Sequence, residues 1–175
     1  MIKHKHNYKI RTIDDIFKFC PCGKRKKIHS VKSERKALQR KAEDLWREYA
    51  HKRDGSSCQI LRFYPNLMLN HSNSLQVDHF FPRADKNLFF ETSNATVLCS
   101  NCNYLKSNGS RQSVIIQIAL KNIVMSREGT KKFEEMFEIN NSAPPLHNWN
   151  SIPNLELRIE YLKKRIEWLE SDKIE

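Results

Sequence analysis

Residues 75–108 read LQVDHFFPRADKNLFFETSNATVLCSNCNYLKSN, and the chain's chemistry is concentrated there. Leu75 and Val77 alternate with Gln76 and Asp78, the period of a half-buried strand, which ends on the pair Asp78-His79. A polar turn over Arg83 to Asn87 separates this strand from Leu88-Phe89-Phe90 and a second apolar run, Thr96-Val97-Leu98. Cys99 and Cys102 then lead into Asn103-Tyr104-Leu105-Lys106, where apolar spacing turns helical. The pattern predicts strand, turn, strand and helix, with polar side chains at the corners.

The ordered set Asp78-His79, then Asn94, then Cys99-x-x-Cys102-Asn103-x-x-Lys106 resembles the motif of the HNH nucleases. The last motif position is Asn103 rather than histidine, and both occur in that superfamily. The resemblance implies an α+β single domain with a ββα-metal core. It also implies His79 as general base, an imidazole being able to take a proton from water near neutrality. Asp78 and Asn103 would be oxygen ligands of Mg²⁺ or Mn²⁺, and Asn94 would orient His79 or its loop. Lys106 and Arg83 are the expected phosphate contacts. Further patches are similar to the phage NinG/Rap recombination nucleases: residues 41–49, Arg53-Asp54-Gly55, Cys58, and His147-x-Trp149-x-x-Ile152 before a charged helix. That family implies cleavage of branched recombination intermediates. An ordinary duplex-cutting HNH enzyme and a non-catalytic zinc-type DNA-binding module are the alternatives. A pure binding module has no need of a general base.

Composition agrees with a polyanionic partner. The 175 residues hold 31 Lys and Arg against 20 Asp and Glu, a net charge of +11, and the pI is near 9.5. The length suits one domain. No run of 18 apolar residues suggests a membrane span, and no apolar stretch follows the basic N-terminus, so the expected location is cytoplasmic, in a bacterial host if the protein is of phage origin. Five cysteines, an odd number, point to thiols or metal ligands rather than a disulfide framework.

Residues 1–32 carry ten Lys or Arg, including Lys24-Arg25-Lys26-Lys27 after Cys20-Pro21-Cys22, and read as a basic arm for phosphates. The nuclease domain then occupies 33–175: a helix at 33–53 capped by Ser33, the motif core at 56–110, and a helical part at 111–171. On the first helix Trp46 and Tyr49 read as core residues. In many HNH proteins two C-x-x-C pairs share a structural zinc, and Cys58 stands where the first pair would begin, but Ile60 and Leu61 follow it. Cys58, Cys99 and Cys102 supply three ligands; Cys20, Cys22, His51 or His71 could be the fourth, or apolar packing could replace the ion. Residues 59–74 read as a hairpin-like excursion. The run 113–124 reads as a core helix, with Val114, Ile115, Ile118, Leu120 and Ile123 buried. In the last helix, about 153–171, Leu155, Ile159, Leu162, Ile166 and Leu169 form a heptad seam. The seam would pack on helix 33–53, with a homodimer as the alternative.

Overall fold

Strand β4 (Leu75–His79) pairs antiparallel with β5 (Ala95–Cys99), Val77 opposite Val97 and His79 opposite Ala95. The computed structural model that shows this describes residues 9–10, 16–19, 25–29, 31–67, 69–82, 88–141 and 150–172, with side chains from residue 32 onward. Helix α3 (Ser100–Ser107) follows β5 directly, and the Cys99 sulfur caps it by accepting the Cys102 amide at 3.4 Å. The strand, strand, helix order read from the sequence is therefore present, in an α+β single-domain fold. Every residue of β5 is buried. Ala95 and Val97 pack with Trp46 and Leu155 on one side, while Leu98 packs with Ile60, Ile116 and Leu120 on the other. A strand between two cores has no solvent face, so it shows no polar alternation.

Helix α1 (Val31–Asp54) starts two residues before the expected Ser33, which lies inside the first turn. Helix α6 (Ile152–Ser171) is capped by Ser151, whose hydroxyl accepts the Asn154 amide. Its seam residues Leu155, Ile159 and Leu162 join Ala42, Trp46 and Ala50 of α1 in one cluster. Arg165 donates to the Tyr49 hydroxyl at 2.8 Å and Lys52 pairs with Glu170 toward the C-terminal ends. The seam is thus covered within the chain, and Trp46 and Tyr49 are core residues at 1% and 2% exposure.

Two expectations are corrected. The segment after Cys58 opens with a short helix, α2 (Gln59–Phe63), instead of a hairpin, because Ile60 is drawn wholly into the core beside Cys99 and Cys102. Helix α4 is longer than read, Arg111–Glu128, and it buries only one stripe: Ile116, Leu120 and Ile123 are inside, whereas Val114, Ile115 and Ile118 are exposed. Apolar residues at nearly every position cannot all face one core on a 3.6-residue period. Within the basic N-terminal part, β1 (Lys9–Ile10), β2 (Ile16–Phe19) and β3 (Arg25–His29) form an antiparallel sheet in that order. Gly129, at φ 84°, ends α4 and lets α5 (Thr130–Asn141) fold back to bury Phe133 and Met136. No helix among the described residues is long and apolar enough to cross a membrane.

Candidate functional site

His79 is the last residue of β4 and is 3% exposed. Its ring stacks on Trp46 of α1, centroids 4.2 Å apart and planes at 17°. Its Nε2 lies 2.8 Å from the Phe89 carbonyl oxygen. A carbonyl only accepts, so Nε2 carries the proton and the basic lone pair of the neutral ring sits on Nδ1. With Asp78, Lys106, Ser107 and Gln117, His79 lines a depression of about 510 Å³. Lys106, one helix turn past Asn103, directs its ammonium inward, donating to both the Asp78 carboxylate and the His79 carbonyl. Its charge is engaged by Asp78 at the edge of the depression. Asn103 has a different neighbour, its Nδ2 donating to Gln76 Oε1 at 2.8 Å. Asp78 and Asn103 therefore line adjacent depressions, joined at Ser107, which borders both. Carboxylate and amide oxygens are donor types that Mg²⁺ or Mn²⁺ takes, and here the two lie in separate depressions, the Asp78 carboxylate paired with Lys106.

Asn94 closes a short 3-10 turn (Thr92–Asn94) and is wholly buried. Its Oδ1 accepts the Phe81 amide at 2.7 Å, and its Nδ2 donates to the carbonyls of Leu88 at 3.1 Å and Phe81 at 3.3 Å. Phe81 and Leu88, at the two ends of the loop between the strands, are thereby tied to one side chain. A buried ion network holds the turn from behind. Asp54, 3% exposed, accepts from Arg53 at 2.6 and 2.9 Å, from the Val97 amide at 3.1 Å and from Arg127 at 3.4 Å. Both guanidinium groups also donate to the Ala95 carbonyl, with further bonds to Thr92 and Ser93 carbonyls. Burial lowers the Arg127 pKa, and neighbouring Arg53 adds to this while Asp54 and Glu128 oppose it. Arg127 and Glu128 escaped the sequence reading because nothing local marks the end of an apolar helix as the partner of residue 54.

The third group is Cys58, His71, Cys99 and Cys102, whose ligand atoms all lie within 4.8 Å of one another. His71 Nδ1 is 3.5 Å from the sulfurs of both Cys99 and Cys102. Tetrahedral zinc, with bonds of roughly 2.0–2.1 Å to nitrogen and 2.3 Å to sulfur, sets that edge at about 3.6 Å. The soft donors and their spacing thus fit zinc. A hydrogen bond from Cys102 lowers the Cys58 thiol pKa against the opposing effect of burial, and the same contact raises that of Cys102. His71 Nε2 is buried without a hydrogen-bond partner among the described residues.

Of the expected fourth ligands, His71 completes the cluster, and Cys20 and Cys22 lie outside the described residues. Lys24 and Arg83 also lie outside them; Arg25, Lys26 and Lys27 are placed in β3 by backbone alone. No protein-family model, curated protein or solved structure matches the chain.

Proposed function

We propose that the chain is a metal-dependent DNA endonuclease of the HNH kind, acting on branched DNA. The observation that carries this reading is His79: it ends the strand of a ββα unit with Nε2–H committed to the Phe89 carbonyl, beside Asp78 in an open depression. In that tautomer Nδ1 is the basic nitrogen, which would take a proton from water as the water oxygen attacks phosphorus and the bond to the 3′ oxygen breaks. Asp78 and Asn103 would hold a divalent ion, which supplies charge neutralisation for the phosphate and the departing oxygen. Trp46 and Asn94 restrict the ring and its loop so that Nδ1 keeps one orientation. The Cys58, His71, Cys99 and Cys102 cluster would hold structural zinc, tying α2 and the loop before β4 to the start of α3. The net charge of +11 supports a nucleic-acid substrate. The same cluster favours the second reading, a zinc-held DNA-binding module without catalysis.

Incubation with labelled four-way junction, flap and linear duplex in Mg²⁺ or Mn²⁺ tests the proposal. Cleavage is expected in wild type and lost in His79→Ala, with DNA affinity kept within a few fold, since a general base acts in the transition state. Binding without cleavage by wild type leaves the binding module; equal cleavage by His79→Ala removes the assignment of the base.

A further inference from the structure

The depression next to that of His79 has a different character. It measures about 410 Å³ and is lined by Gln76, Ser100, Asn103, Tyr104, Ser107 and Asn108, all of them uncharged. Small-ligand sites run from roughly 300 to 1,000 Å³, so the space suits a group of nucleotide size. Tyr104 is 70% exposed. One exposed aromatic is ordinary on a protein surface, but this one stands on α3 one residue beyond Asn103, and its depression shares Ser107 with the one that holds Asp78, His79 and Lys106. An aromatic face beside an amide is a combination that takes a nucleobase: the ring stacks, and the Asn108 amide meets the base edge, Asn103 being bonded to Gln76. The charged side chains Asp78 and Lys106 line the neighbouring depression, paired with each other.

We infer that the Tyr104 depression is a subsite for one unpaired nucleobase next to the scissile phosphate, an assignment that rests on the nuclease reading above. In a linear duplex the bases are stacked and paired, and extruding one costs several-fold to many-fold in binding; a flap or splayed-arm branch already presents unpaired nucleotides. The subsite thus accounts for selection of branched over linear DNA through Tyr104 rather than through charge alone.

The test uses a three-strand flap carrying 2-aminopurine at the unpaired position beside the branch. With His79→Ala protein, which is expected to bind without cutting, stacking on Tyr104 should quench the fluorescence, and adding Tyr104→Ala should abolish the quench while Tyr104→Phe preserves it. In the cutting enzyme, Tyr104→Ala should lower the flap-over-duplex cleavage ratio about tenfold, and Tyr104→Phe should hold it within about twofold. A quench and a ratio both indifferent to Tyr104→Ala overturn the subsite and leave the nuclease reading standing. A Tyr104-dependent quench in a protein that cuts no DNA supports the subsite and removes the nuclease reading instead.

Discussion

At the residue scale the site depends on groups whose partners are satisfied inside the fold. Asn94 makes three hydrogen bonds from a fully buried position, and truncation leaves the Phe81 amide and the Leu88 carbonyl without them. Each unsatisfied buried group costs ~1–3 kcal/mol, so Asn94→Ala should lose ~2–4 kcal/mol in urea unfolding. A loss under ~1 kcal/mol would mean that the loop is held by other contacts. Asp54 carries more. Removing the carboxylate leaves Arg53 and Arg127 facing each other, and breaking a buried pair costs about 3–5 kcal/mol. Asp54→Ala is therefore expected to unfold well before Asn94→Ala in a thermal melt, and the reverse order would show that the network is screened by water. Asp78, His79 and Asn94 were singled out in sequence by their order along the chain, and the structure places them at the end of β4 and in the turn beside it. The engagement of Lys106 by Asp78 was not legible in sequence, since it depends on how α3 lies across β4.

At the scale of elements, α2, the loop before β4, and α3 converge on the Cys58, His71, Cys99 and Cys102 cluster. Protein purified without chelator is expected to hold one zinc per chain by elemental analysis. Both His71→Ala and Cys102→Ser should lower zinc content and melting temperature, because the binding energy of the ion is part of the folding energy. A metal-free wild type with melts unaltered by both substitutions would return these side chains to packing. The α1 and α6 pair makes a separate demand. Leu162 is wholly buried in the seam, so Leu162→Ala should cost ~2–5 kcal/mol in urea unfolding without altering the mass measured by light scattering. A dimer that dissociates on this change would place the seam between subunits.

On the scale of the whole molecule, the charge is uneven in sequence: residues 1–32 hold ten of the 31 Lys and Arg. Each phosphate contact adds close to one unit to the slope of log affinity against log salt. Removing residues 1–30 should weaken binding to junction DNA and flatten that slope by several units while leaving His79-dependent cleavage measurable at low salt. An unchanged slope would place the phosphate contacts on the body of the fold.

Local pattern by itself determined the ββα order around residues 75–108, the helices at α1, α4 and α6, and three cysteines of the Cys/His cluster, because period, capping and residue spacing are properties of neighbours along the chain. The start of α1 was missed by two residues, since helix ends are set by weak local preferences that packing overrides. Which face of α4 is buried, which histidine completes the cysteine cluster, and which carboxylate holds Arg127 were decided only in three dimensions. His71 meets Cys99 across 28 residues and Asp54 meets Arg127 across 73. Contacts at such separations follow from how β5 is sandwiched between two helical layers, and no local pattern records that.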